Sequence, residues 1–146
     1  MAQQSPQTFE NHARILPAYH YVAFPLFAIN FFYALYRVVT DFSWGGLVAF
    51  GVSVALILLF FIARVMVLSV QDRVIRLEET LRMRALLPAD LQPRIGEFGV
   101  KQLVALRFAS DAELPELARK VLDEKIRDQK AIKQMIRDWR ADFLRA

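Results

Sequence analysis

The sequence contains no cysteine. That excludes a disulfide scaffold, a thiolate zinc site and a cysteine nucleophile. Only two histidines occur, His12 and His20. There is no P-loop, no GxGxxG, no GxSxG and no HExxH, so none of the common phosphate, nucleophile-elbow or helical zinc patterns is written into the chain. The carboxylates of the C-terminal half are mostly spaced as helix-surface partners of Lys and Arg, and no pair stands out as an acid/base couple. The expectation is a protein that is not an enzyme and carries no cofactor or metal. No stretch alternates apolar and polar residues as a strand would. A cleaved signal peptide is not indicated either. Mostly polar residues, with Pro6, Glu10 and Pro17, precede the first apolar core, and Tyr33, Tyr36 and Arg37 end it where small residues would stand.

What is present is segregated. Hydrophobic residues make up 55% of 146 and include twelve Phe, while charged residues stand at 23%, an ordinary soluble value. Net charge is +4, from 19 Lys and Arg against 15 Asp and Glu. Ile15 to Tyr36 and Phe42 to Ala63 are each 22 residues without Asp, Glu, Lys or Arg. About 20 such residues cross about 30 Å of hydrocarbon as a helix. The connection, Arg37 to Ser43, is short, so the two spans predict an antiparallel hairpin. After Ala63 come 17 Lys and Arg, whereas the connection offers Arg37 alone. Basic excess marks the cytoplasmic side, which places both termini there. Tyr19 and Tyr21 at one end, and Tyr33, Tyr36, Phe42 and Trp44 at the other, suit headgroup depths.

Within the spans, Asn30 needs a polar partner. Ser53 lies at nearly the same depth on the second span. Gly45/Ala49 and Gly51/Ala55 are small-xxx-small spacings that let backbones approach. Asn30, Gly51 and Ser53 are therefore candidate intramembrane packing residues, with a partner or oligomer face as the alternative. Pro25 predicts a kink early in the first span.

Nothing breaks the helix after the second span. Val67, Val70, Val74, Leu77 and Leu81 recur at 3,4 spacing, an a/d seam of about two heptads. Asp72/Arg76 and Glu78/Arg82 add favourable i,i+4 pairs. The seam is expected to pack on its own domain, with a second copy as the alternative. Pro88 should stop this helix near Leu87. Residues 88–99, with two Pro and two Gly, read as a connector. Three helical patterns follow: about 100–109; one opened by the capping box Ser110-Asp-Ala-Glu113; and one from Asp128, with Ile132, Met135, Ile136, Trp139 and Phe143 on one face. On this last helix Lys130, Lys133, Arg137 and Arg140 fall on the opposite arc. They form a candidate interaction surface for anionic lipid or an acidic protein.

The expected fold is an all-α membrane protein: a two-helix transmembrane hairpin, a second span continuing into a long cytoplasmic helix, then a small helical domain. The corresponding segments are an N-terminal cytoplasmic piece 1–18, a hairpin 19–63 with spans at about 19–37 and 43–63, a charged extension 64–87, the connector 88–99 and a helical domain 100–146.

Gln71-Asp-Arg-Val-Ile-Arg-Leu-Glu-Glu-Thr-Leu-Arg82, Leu103-Val-Ala-Leu-Arg-Phe-Ala-Ser-Asp-Ala-Glu-Leu-Pro-Glu-Leu117, and Asn11-His-Ala-Arg14 followed by Pro17 and His20 carry a resemblance. The chain resembles an uncharacterised bacterial domain-of-unknown-function family of small two-span membrane proteins. That resemblance implies the same segment order over nearly the whole chain and carries over no catalytic or binding residue. The expected function is that of a non-enzymatic inner-membrane protein, an accessory or scaffold subunit contacting a protein partner through its cytoplasmic helices, with homo-oligomerisation open. Two alternatives are a membrane-tethered binder of anionic lipid or nucleic acid through the basic helix, nucleic acid being the less favoured ligand, and a haem- or pigment-associated subunit using His20.

Overall fold

A computed structural model describes residues 8–10 and 15–142. The described residues hold no strand beyond an isolated antiparallel bridge of Ala109 with Trp139. A π-helical turn, Ala18–Ala23, opens α1, Phe24–Thr40. Then come α2, Trp44–Leu86; a 3₁₀ turn, Gln92–Glu97; α3, Val100–Leu106; α4, Leu114–Asp123; and α5, Gln129–Met135. Two helical stretches, Ala18–Thr40 and Trp44–Leu86, are long and apolar enough to cross a membrane by length and composition. The chain divides into two compact units, 14–68 and one built on 69–146, with the division falling inside α2.

In the first unit, the π turn has a local cause. Pro25 has no N–H to give the carbonyl of Tyr21, and the N–H of Phe24 reaches back five residues to Tyr19 instead. The kink expected at Pro25 is thus a change of helix pitch just before it. α1 packs on the first half of α2 through aromatic rings. Tyr19 stacks on Phe60 at 4.0 Å, Phe27 meets Phe60 at 5.6 Å, and Phe31 meets Phe50 at 5.4 Å. Offset and edge-on ring pairs are favourable beyond their buried area. Ser43 starts α2 by accepting the N–H of Gly46 at 3.0 Å, one of the donors a helix leaves open.

In the second unit, the end of α2 is part of the domain. Ile75, Met83 and Leu87 are buried, and Met83 and Leu87 join a core with α3, α4 and α5. The stretch expected to be a mere connector contributes Leu91, Ile95 and Phe98 to that core. The 3₁₀ turn is what folds their side chains inward, and Gln92 fastens it by donating to the carbonyl of Leu87 at 2.7 Å. Ion pairs Arg119–Asp90 at 2.7 Å and Arg94–Asp123 at 2.8 Å join this stretch to α4. The hydrogen bond from Arg119 holds the exposed Asp90 carboxyl below the usual carboxylate range. On α3, Gln102 accepts from Gly99 N and donates to the carbonyl of Ile126, tying the helix start to the turn after α4. Asp128 caps α5 by accepting from Lys130 N and Ala131 N.

α5 is much shorter than the apolar periodicity predicts. Its periodic residues run on through Trp139 to Phe143, the last lying outside the described residues, yet the helix ends at Met135. Glu113 is the reason. Its carboxylate accepts from Arg137 N and Asp138 N at 3.0–3.2 Å. A continuing helix would give those N–H groups to the carbonyls four residues back. The chain then runs extended beside 108–110. Ser110 N donates to Asp138 O at 3.0 Å, and Arg140 N to Phe108 O at 2.7 Å. Trp139 lies on Phe108 with ring centroids 5.1 Å apart. The capping box is half formed: Glu113 N donates to Ser110 Oγ, but the glutamate's own carboxylate is spent across the fold.

Candidate functional site

The second unit carries a charged cleft of about 630 Å³, lined by Glu78, Glu79, Arg82, Arg107, Asp111, Arg140, Ala141 and Asp142. Its floor is built from α2. Ile75, Glu79 and Met83 follow at four-residue spacing, so they share one helix face, and that face is buried. Glu79 is therefore taken below the surface, with a side chain only 6% exposed. Burial pushes its carboxyl above the ordinary range, against the opposing pull of Arg82 and Arg140.

Arg82 is the hub. It donates from Nη1 to Glu79 at 3.0 Å, from Nε to Asp111 at 2.8 Å and from Nη2 to the carbonyl of Ala109 at 2.6 Å. Arg140 stands 3.7 Å from the other Glu79 oxygen. Arg107 is buried, with Nε 3.4 Å from Asp142 and its guanidinium 4.6 Å over the Phe108 ring. The three arginines thus each face a carboxylate of the cleft. Such a closed ionic arrangement orients α2 against the 107–111 turn and the extended 139–142 segment. Among the described residues no group of three or more His, Asp or Glu could hold a metal ion.

The expected basic stripe is not one face. Lys130 and Lys133 are on α5, whereas Arg137 and Arg140 follow its end in extended chain. Lys133 Nζ sits 5.2 Å over the Phe108 ring, and Arg140 turns to Glu79. The four residues were grouped by a helical period that stops at Met135. In the first unit, Ser53 is fully buried and donates to the carbonyl of Phe50 at 2.7 Å. Asn30 is exposed and does not meet it. Phe27, Phe31 and Ala34 form the row turned to α2, and Asn30 stands about 100° round the helix from Phe31. Gly51 is exposed too, and a Cβ there would meet nothing within 4 Å. Gly45, Ala49 and Ala55 are likewise exposed, so the small-residue spacings do not pack α1. His20 is exposed, with Nδ1 3.0 Å from the Leu16 carbonyl.

The sequence profile of a family described as Family of unknown function (DUF6526) matches residues 1–146. The chain belongs to this family. The segments 71–82 and 103–117, which carried the resemblance, lie inside the matched length, and the family's description assigns no activity. No curated protein and no solved structure matches the chain.

The cleft itself was not foreseen. Glu79 looked like one more surface acid, and Arg82 was paired with Glu78. The signal was present in Ile75-x₃-Glu79-x₃-Met83-x₃-Leu87, an apolar row interrupted by one acid. What the sequence could not supply was the partner surface, which comes from residues 27–63 positions further along.

Proposed function

We propose that the protein is a non-enzymatic integral membrane protein, anchored by α1 and the first half of α2, whose helical domain contacts a protein partner in the cytoplasm as an accessory or scaffold subunit. The observation that carries the anchoring is the outward apolar surface of both helices. Leu26, Ile29, Phe32, Tyr36 and Val39 of α1 are exposed, as are Val48, Val52, Leu58, Leu59, Phe61 and Ile62 of α2. Exposed apolar surface on this scale is costly in water and favourable in hydrocarbon, where helices also satisfy their own backbone. The basic excess after Ala63 supports a cytoplasmic domain. The partner role rests on the paired chemistry of the cleft: its three arginines are engaged with Glu79, Asp111 and Asp142, which suits a shaped binding surface better than a reactive site.

Alkaline carbonate extraction of membranes should leave the protein in the pellet. Reporter fusions after Ser43 and after Ala146 should report opposite sides. Release into the supernatant overturns the anchor, and two reporters on one side overturn the topology. Mild detergent extraction should bring down a second protein at fixed stoichiometry. Purification of this chain alone, from membranes of the cell that makes it, counts against the subunit role.

A further inference from the structure

The part of α2 that builds the domain has two opposite faces. Ile75, Glu79 and Met83 are turned inward. Val70, Val74, Leu77 and Leu81 lie about 180° away at 100° per residue, and they are exposed by 62%, 48%, 62% and 56%. The domain does not cover the heptad seam, contrary to the expectation that it would. With Val74 at position a, Leu77 falls at d, the β-branched-a and Leu-d choice that favours two parallel strands, while Val70 at d and Leu81 at a reverse it at the ends of the seam. The flanking charges select the same partner. Arg73 occupies g and Glu78 occupies the e position five residues later, the two positions that face each other across a parallel dimer. Both are exposed, and among the described residues neither makes an ion pair within its own chain. An antiparallel pairing would match g with g and e with e, setting Arg73 beside Thr80 and Glu78 beside Gln71, and so would pair neither charge. A second copy therefore satisfies both charges twice, in one orientation only.

We infer that residues 70–81 of α2 form a short parallel coiled coil with a second copy of this chain, registered by reciprocal Arg73–Glu78 pairs. This does not depend on the membrane anchor, although insertion in one bilayer would impose the same orientation and raise the local concentration of the copies.

The absence of native cysteine makes the test clean. Val74→Cys and Arg76→Cys are introduced separately into the full chain, held in mild detergent and oxidised with copper phenanthroline. Val74→Cys should give covalent dimers at least ten-fold faster than Arg76→Cys, whose side chain points off the seam. Arg73→Glu added to Val74→Cys should slow dimer formation about five-fold, and Glu78→Arg added to both should restore it. Trp139 fluorescence, read in a Trp44→Phe background, verifies that each variant keeps its domain. Equal rates at positions 74 and 76, or charge reversal without rescue, overturn the dimer. A Val74→Cys disulfide to a different protein in native membranes, with none between copies, also overturns it and assigns the seam to that partner.

Discussion

Removing the Arg82 side chain isolates the role of the buried charge. Arg82→Ala deletes the bonds to Glu79, Asp111 and the Ala109 carbonyl. Breaking one side of a buried pair costs about 3–5 kcal/mol, because the remaining charge is stranded. The lower end applies here. Asp111 is 68% exposed and returns to water at little cost, and Arg140 still stands 3.7 Å from Glu79. The expected loss is about 3 kcal/mol near neutral pH. For a unit of this size that is a fall of roughly 12–24 °C in midpoint. The loss should shrink in acid. Glu79 is already held above its ordinary range by burial, and losing Arg82 raises it further. A carboxyl raised in the folded state binds more protons there than in the unfolded chain. Its effect on stability is therefore best below the unfolded value and declines as pH climbs through the folded one. At pH 4 the stranded group is neutral in the variant, leaving about 1 kcal/mol for the lost hydrogen bonds. Trp139, on Phe108 beside this cluster, is the reporter. A Trp44→Phe background leaves it as the sole tryptophan. Thermal melts of the full chain in detergent, followed by Trp139 fluorescence at pH 7 and pH 4, read both numbers. An unchanged midpoint at pH 7, or a deficit as large at pH 4 as at pH 7, would refute the stranded-charge reasoning.

Two further outcomes follow from individual placements. Asp128→Ala should lower the same midpoint by the equivalent of about 1 kcal/mol, since the carboxylate caps two N–H groups of α5, and Asp128→Asn should recover most of it. Ser53→Leu should weaken the α1–α2 contact by about 1–3 kcal/mol through overpacking, whereas Gly51→Leu, facing open space, should be tolerated; protease protection of the 41–43 connection in detergent separates the two.

The sequence by itself determined the helical class and the two apolar lengths, because both depend on local composition and on a repeat that the chain carries with it. It also marked Asp128 as the start of the last helix and the seam at Val70, Val74, Leu77 and Leu81, since helical spacing fixes which residues share a face. It did not determine which face the domain would cover. That choice depends on the total apolar surface offered by α3, α4 and the 88–99 stretch, which meets Met83 and Leu87 and leaves the seam outside. Asn30 was paired with Ser53 by depth alone, and depth ignores the 100° between neighbouring residues that turns Asn30 away. The basic stripe failed for a longer-range reason. Helical period predicts where Arg137 and Arg140 would point if the helix continued, but Glu113, more than twenty residues earlier, takes the N–H groups that continuation requires. One carboxylate thereby ends α5, lays 137–140 along 108–110, and brings Arg140 to the buried Glu79. Only the tertiary structure could decide that, because the competing acceptor is distant in sequence and adjacent only once the core has formed.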